Sequence, residues 1–216
     1  IRDRFMGSLF YTHWRGEAER EVMNAIGYDA MAVGNHEFDN GPSVLARFGA
    51  GLACPLLSAN IDASAEPSLA PLIRPFAIVA RAGVRIGIVG LTTSDTPRIS
   101  SPGPGVRFGE EAASLGAGVA AARAAGAEVV IALTHVGLGQ DRRLAAAVPG
   151  LSAVVGGHSH TLLSNTADGA EARYPLPVAG ASGFVVPVVQ AGANNRYLGR
   201  LDLDLDRSGR VLAATG

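Results

Sequence analysis

The sequence has no lysine and only one cysteine, Cys54, among its 216 residues. A single cysteine excludes an intrachain disulfide, which leaves both reducing and oxidising compartments open. No uninterrupted apolar run reaches the roughly 18 residues that a membrane-spanning helix needs. The net charge of −1 gives no electrostatic reason to expect a nucleic-acid polymer or a membrane surface as a partner. With 48% apolar and 17% charged residues, the chain is expected to fold around a buried core.

Helical and strand patterns alternate along most of the chain. The patterns predict four helices, at 16–26, 42–52, 110–125 and 141–147. Short apolar runs predict strands, at 28–33, 55–59, 85–91, 129–133 and 152–155. Later segments predict strands in antiparallel pairing, at 184–190, 197–206 and 211–214. This order favours an α/β fold, in which functional residues belong at the carboxyl ends of strands.

Four of the five histidines come directly after predicted strands. His36 follows the first strand, His135 the fourth, and His158 and His160 the fifth. Because loops at the carboxyl ends of strands share one edge of a sheet, these side chains can converge on one site. Imidazole is the commonest transition-metal ligand in proteins. His158 and His160 are two residues apart, so an extended backbone would direct both to the same side, where they could serve two neighbouring ions.

Two motifs are more specific than the positions of the histidines. They read GNHEFD at 34–39 and GGHSH at 156–160. Both resemble signatures of the metallophosphoesterase (calcineurin-like) superfamily, in its bacterial 5′-nucleotidase and UDP-sugar hydrolase branch. Weaker matches follow the same order as in that family, namely DRFMGS at 3–8, PLLSAN at 55–60, THVG at 134–137 and VVQA at 188–191. The resemblance covers nearly the whole chain and implies a four-layer α/β-β/α sandwich of two mixed sheets.

The resemblance also implies a metal centre. Two divalent ions, Zn²⁺, Mn²⁺ or Co²⁺, would activate a bridging hydroxide for attack on phosphorus. Asp3 would bind both ions, and His160 would bind one of them. The other ion would take Asn35, His135 and His158 as its remaining protein ligands. Without this chemistry, His158 and His160 would be a surface loop pair and Asp3 an ordinary solvated carboxylate.

His36 and Asp39 are expected to form a catalytic pair. The resemblance implies that His36 faces the phosphoryl group and that Asp39 orients and charges the imidazole ring. Asn35 and His36 are adjacent, so their side chains are expected to diverge. The alternative interpretations are a core or capping role for His36 and an N-cap role for Asp39 at the helix that begins at Pro42.

Two features of the family pattern are absent from the sequence. The Asp-x-His motif that would supply two further ligands to the ion of His160 does not occur near the amino terminus. The carboxyl-terminal domain that grips the nucleobase in this family is also missing. Residues 1–216 are therefore expected to form a single metallophosphoesterase domain, truncated at its amino terminus and without the nucleotide-specificity domain.

The function implied by the resemblance is metal-dependent hydrolysis of a phosphoester, with a 5′-nucleotide as the small-molecule substrate. Alternatives within the family are 2′,3′-cyclic nucleotides and UDP-sugar diphosphates. An alternative of another class is a non-catalytic metal-binding or interaction domain that has lost one metal site. The resemblance implies a periplasmic or extracellular location, although the sequence contains no signal peptide. No sequence feature indicates an oligomeric state.

Overall fold

The structure is a computed structural model that describes residues 9–206 and 208–216. Within these ranges the helices are α1 (Leu9–Trp14), α2 (Glu17–Ile26), α3 (Pro42–Ala50), α4 (Thr96–Ile99), α5 (Glu111–Ala124) and α6 (Leu138–Ala147), and one 3-10 turn spans His36–Phe38. The strands are β1 (Met31–Ala32), β2 (Leu56–Leu57), β3 (Ile61–Asp62), β4 (Ile73–Arg74), β5 (Phe76–Arg81), β6 (Val84–Thr92), β7 (Arg107–Phe108), β8 (Val129–His135), β9 (Ala153–Val155), β10 (Leu176–Ala179), β11 (Val185–Val189), β12 (Asp202–Leu205) and β13 (Val211–Thr215).

The largest sheet has six strands in the order β10-β11-β9-β8-β6-β5. Its four inner strands are parallel to one another, whereas β5 and β10 pair antiparallel at the two edges. Strand β8 is almost continuously apolar (VVIAL before Thr134), which suits a central parallel strand that is covered on both faces. Helices α5 and α6 pack on this sheet and share its apolar core.

A smaller sheet of three parallel strands, β1-β2-β4, meets the large sheet along β6. The N–H of Ala59 donates to the carbonyl of Gly90 across this junction, at 2.8 Å. A Cβ atom at position 90 would lie 2.3 Å from the carbonyl carbon of Leu57, so the close approach of β2 to β6 requires glycine there. Helices α2 and α3 cover the smaller sheet with a second apolar core.

The two sheets and their helices confirm the α/β sandwich that the motifs implied. The large sheet is mixed, as expected, whereas the described strands of the smaller sheet are all parallel. Two further pairs, β3 with β7 and β12 with β13, form separate antiparallel ribbons. In the part of the chain that the structure describes, no helix combines the length and apolar character needed to cross a bilayer.

Helix boundaries follow local sequence signals. Helix α2 ends at Gly27, which takes a left-handed φ of 78° that few other residues adopt. Helix α3 begins with Pro42, where the missing N–H would have had no partner within the helix. Glu110 precedes α5 and accepts hydrogen bonds from two main-chain N–H groups of its first turn. The four predicted helices are therefore confirmed to within a few residues, whereas the predicted strands at 28–33 and 55–59 shorten to two residues each.

Candidate metal centre and catalytic pair

Strand ends from both sheets bring Asn35, His135 and His158 together. His135 is the last residue of β8, Asn35 follows β1 by three residues, and His158 follows β9 by three. The Oδ1 atom of Asn35 lies 3.1 Å from Nε2 of His135. That same nitrogen lies 3.3 Å from Nδ1 of His158. The structure therefore unites three residues that are up to 123 positions apart in the sequence.

The spacing of these three donor atoms fits one bound cation. Metal–nitrogen bonds of about 2.1 Å place two donors of one ion about 3.0 Å apart at a right angle and about 3.4 Å apart at the tetrahedral angle. The two separations that involve His135, 3.1 and 3.3 Å, fall inside that interval. Nε2 of His135 lies close to both neighbours, and a cation at this point would be bound by one lone pair from each of the three residues.

His158 and His160 do not lie on an extended backbone, so the prediction from their two-residue spacing is wrong. Their φ angles are 79° and 58°, in the left-handed region. The N–H of Ser159 turns back to the carbonyl of Gly157 at 3.1 Å, and this tight turn replaces the strand geometry. His158 is partly buried against His135, with ring centroids 5.0 Å apart, while His160 is exposed at the outer end of the turn.

The expected ligand Asp3 lies outside the described residues. Across residues 9–206 and 208–216 there is no group of three or more His, Cys, Asp and Glu side chains arranged to hold a metal ion. The cluster of Asn35, His135 and His158 contains two histidines and an amide, so it is not a group of that kind. Amide and imidazole donors nevertheless suit divalent transition metals.

The GNHEFD turn places His36 against Asp39. Nδ1 of His36 lies 2.6 Å from Oδ2 of Asp39, and Oγ of Ser100 donates to the other carboxylate oxygen at 2.7 Å. The imidazole side chain is 36% exposed, so its opposite nitrogen can reach a substrate from solvent. The N-cap of α3 is Gly41 without any side-chain bond, so the alternative interpretation of Asp39 as its cap is wrong.

The side chains of Asn35 and His36 diverge, as predicted. Asn35 is buried and faces His135, whereas His36 faces Asp39 near the surface. Glu37 is fully buried, and its Oε2 accepts from the N–H of Gly34 at 2.7 Å. The carboxylate thus closes the turn that separates Asn35 from His36.

Comparisons with known proteins agree with this geometry. No family model matches the chain. Over 227 residues it is 37% identical to the snake venom 5′-nucleotidase of Gloydius brevicauda and 36% identical to the 5′-nucleotidase of Homo sapiens, with 99% of this chain and 38% of each relative covered. The solved 5′-nucleotidase precursor from Thermus thermophilus is 42% identical with a TM-score of 0.95, over 98% of this chain and 42% of that one.

The chain belongs to the 5′-nucleotidase family. The structure of Haemophilus influenzae NAD nucleotidase is also similar, at 30% identity and a TM-score of 0.90, over 98% of this chain and 43% of that one. The chain thus spans about two fifths of the length of these family members, since it covers 38% to 43% of each. Members of the family use divalent metal ions.

A buried polar network lies behind the ligand cluster of this family member. Thr92 stands opposite His135 in the pairing of β6 with β8. Its hydroxyl donates to the carbonyl of Val33 at 2.7 Å, and its main chain is held on both sides by the amide of Asn60, at 3.0 and 2.7 Å. This network ties the end of β1, which leads to Asn35, to the end of β6, which pairs with β8 at His135. Sequence reasoning noted PLLSAN only as a family match and assigned Asn60 no role.

Asp141 is a second buried group that sequence reasoning missed. Its side chain is fully buried on α6, where burial raises its pKa to about 7, although a hydrogen bond from Thr134 opposes the rise and the charge of Glu111 adds to it. Thr134 Oγ1 donates to Oδ1 at 2.5 Å. Among the described residues Oδ2 has no hydrogen-bond partner, and it lies 1.9 Å from where a Cβ of Gly156 would be. Asp141 therefore packs directly behind the turn that carries His158.

Proposed function

We propose that the complete protein hydrolyses the phosphomonoester of 5′-nucleotides with the help of two divalent metal ions. The proposal depends above all on the convergence of Asn35, His135 and His158 at donor spacings that fit one cation. These three residues would hold one ion, Asp3 would be shared between both ions, and His160 would bind the second. The identity of the ions lies among Zn²⁺, Mn²⁺ and Co²⁺, which mixed nitrogen and oxygen donors accommodate.

The metal ions, when bound, would supply an activated hydroxide and positive charge against the phosphoryl oxygens. The described side chains supply the rest. Asp39 accepts a hydrogen bond from Nδ1 of His36, and this orients the ring with Nε2 on its opposite side. Asn35 and His36 are adjacent, so their Cα atoms are about 3.8 Å apart and the main chain joins His36 directly to one residue of the ligand cluster. From there His36 protonates the leaving nucleoside oxygen or donates a hydrogen bond to the phosphoryl group.

An open groove beside the catalytic pair suits an anionic substrate. The groove has a volume of about 610 Å³, and Asp39 and Ser100 lie in its wall together with two arginines, Arg15 and Arg98. Arg98 is paired with Asp95 at 3.2 Å, so it is the positive charge of Arg15 that would raise the local concentration of phosphate-bearing ligands. The groove therefore supports a phosphorylated small molecule as the substrate.

A nucleoside diphosphate ester is the second candidate substrate. The similarity to the structure of NAD nucleotidase supports it, because that enzyme is named for a dinucleotide joined through a diphosphate. UDP-sugars carry the same kind of diphosphate linkage. A third candidate substrate within the family is a 2′,3′-cyclic nucleotide. We also propose that the protein is exported, since the relatives include proteins of snake venom.

The proposal is tested with the complete protein and its His36→Ala variant. We expect wild-type protein to bind two metal ions per chain and to release phosphate from AMP faster than it cleaves a UDP-sugar or 2′,3′-cyclic AMP. Loss of a general acid lowers kcat by roughly 10²- to 10⁴-fold, so His36→Ala should retain metal but lose most turnover. Metal binding without hydrolysis of any of these compounds would instead identify a non-catalytic metal-binding domain, and activity that persists in His36→Ala would contradict the assigned role.

A further inference from the structure

The turn of residues 157–161, here called the histidine turn, holds two histidines in an unfavourable backbone conformation. Left-handed φ angles at residues other than glycine are strained and persist only when surrounding structure enforces them. His158 and His160 both adopt such angles, at 79° and 58°. His160 is also exposed, so packing of its own side chain does little to hold it. Something else must hold the turn.

Gln190, at the end of β11, makes that connection. Its amide oxygen accepts from the hydroxyl of Ser159 at 2.9 Å and from the N–H of Thr161 at 2.6 Å. Its amide nitrogen donates to the carbonyl of Gly157 at 3.1 Å. These three bonds reach residues 157, 159 and 161, which alternate with the two histidines. Gln190 therefore holds the turn at the three positions that flank the two histidines.

Gln190 is well placed to enforce this geometry. Its side chain is only 2% exposed, and its own main-chain carbonyl accepts from the N–H of Leu163, just beyond the turn. The site is also tightly packed, because a Cβ at Gly156 would lie 3.3 Å from the amide nitrogen of Gln190. A buried amide in a tightly packed site has little freedom to rotate. The three hydrogen bonds of Gln190 therefore determine the conformation of the histidine turn.

The histidine turn is attached at a second point to the start of α6. The N–H of Leu138 donates to the hydroxyl of Ser159 at 3.0 Å, and the N–H of Gly137 donates to the carbonyl of Gly157 at 3.0 Å. Both acceptors are also partners of Gln190. The glutamine thus joins β11, α6 and the turn into one unit directly behind the ligand cluster.

We propose that Gln190 is the positioning residue that sets both His158 and His160 for metal binding. This inference rests on the proposed function, in which these histidines serve different ions. Groups that orient metal ligands typically change metal affinity about 10- to 100-fold when removed. Gln190 does not itself contact metal or substrate, so it acts only through the histidine turn.

The test uses the complete protein with Gln190→Met, which keeps the length of the side chain and removes all three hydrogen bonds. Asn165→Leu is the matched control, because the Asn165 amide also makes three hydrogen bonds, to Tyr174 O, Tyr174 N and Gly216 O, away from the turn. Ser159→Ala is a milder second variant at an exposed residue: it removes one of the three bonds of Gln190, together with the contacts of the Ser159 hydroxyl with Leu138 and Thr161. His158→Ala reports the loss of a ligand itself.

Two measurements are made on each variant. The first is Co²⁺ affinity by competition with a chelator, together with kcat at saturating Co²⁺. The second is amide hydrogen exchange at Ser159 and Thr161 in the metal-free protein. Gln190→Met is expected to bind Co²⁺ about 10- to 100-fold more weakly, to recover most of its kcat when Co²⁺ is saturating, and to exchange faster at both amides. Ser159→Ala should show a smaller shift in the same direction, His158→Ala should not recover, and Asn165→Leu should keep wild-type affinity.

Unchanged Co²⁺ affinity in Gln190→Met, or in Ser159→Ala should the first variant fail to fold, overturns the proposal. Equal weakening in Asn165→Leu also overturns it, because a general loss of stability would then explain the effect. If the wild-type protein binds none of Co²⁺, Zn²⁺ and Mn²⁺, the proposed function fails. Faster exchange confined to the histidine turn in metal-free Gln190→Met would even then support the positioning role, so the two failures are distinguishable.

Discussion

The two turns that carry the functional histidines are held in place by different means. In the GNHEFD turn, support comes from within the motif, where Glu37 accepts from Gly34 N and Asp39 accepts from His36. In the histidine turn, support comes from distant elements, through Gln190 on β11 and Leu138 at the start of α6. The first turn is nearly complete as a local structure, whereas the second depends on the assembled fold.

This difference has a consequence for dynamics. Glu37 and Phe38 are fully buried, and the ring of Phe38 meets that of Phe108 edge to face at 5.8 Å between centroids. The GNHEFD turn therefore has its own share of the apolar core. The histidine turn has a buried inner side but exposes Ser159 and His160. Local opening should accordingly begin at the histidine turn, where few apolar contacts oppose it.

The largest expected effect comes from removing the internal support of the GNHEFD turn. Glu37→Ala removes a fully buried side chain and leaves the N–H of Gly34 without its acceptor, so the free energy of unfolding should fall by about 2–4 kcal/mol. Glu37→Gln keeps an acceptor oxygen and should lose less. Urea unfolding measures both. The control Glu17→Ala lies on an exposed position of α2 and should change stability by less than about 0.5 kcal/mol.

If Glu37→Ala were as stable as Glu17→Ala, the internal hydrogen bond would not be what supports the turn. The comparison between the two turns would then have to rest on Phe38 and the apolar core alone.

The same difference decides how much of the site could be predicted from sequence. Contacts within a motif leave a sequence signature, so the pairing of His36 with Asp39 and the divergence of Asn35 were open to prediction. Ser100 lies 61 residues from its partner Asp39, and Gln190 lies 31 residues from Ser159. No periodicity or spacing connects such positions, because only the fold brings them together. Gln190 was visible as part of a family motif but without a role.

The fold shows the same division between local and tertiary information. Apolar periodicity predicted the four longest helices and the central strands, because those elements bury one face or both. The β5–β6 hairpin was missed because its turn is Ala82-Gly83, with φ angles of 48° and 81°. Asparagine or aspartate before glycine normally marks such a turn, and alanine gives no such signal. The left-handed backbone at His158 and His160 was missed for a related reason, because a histidine in the sequence does not indicate a left-handed φ angle.

Asp141 packs behind the histidine turn, and its carboxyl group should make the stability of the protein depend on pH. Its pKa is raised from 3.8 to about 7 in the folded protein, chiefly by burial. Between these values the folded state holds a proton that the unfolded state has released, so stability is highest at low pH and falls as pH rises towards 7. For the metal-free protein, this group alone should lower the free energy of unfolding by about 2–3 kcal/mol between pH 5 and pH 8.

Asp141→Asn cannot titrate and should flatten that part of the pH dependence. Urea unfolding of the metal-free protein at pH 5 and pH 8 measures it, with Asp168→Asn in the exposed loop as the control. Parallel pH profiles for wild type and Asp141→Asn would show that the buried carboxyl does not take up a proton on folding. Loss of the slope would instead mean that the packing behind Gly156 prefers an uncharged group.

The smallest expected effect tests a distant contact of the GNHEFD turn, the hydrogen bond from Ser100 to Asp39. Ser100→Ala removes the hydroxyl that donates to Asp39 Oδ1 and should leave the bond between Asp39 and His36 in place. We expect kcat for AMP to fall about 3- to 10-fold, which corresponds to about 1 kcal/mol, because Asp39 is then less firmly oriented. Ser101→Ala is the control, since Ser101 lines the same groove. An equal fall of kcat in both variants would indicate a change in the groove. A fall of kcat in Ser100→Ala alone would mean that the GNHEFD turn also depends on a tertiary contact to orient Asp39.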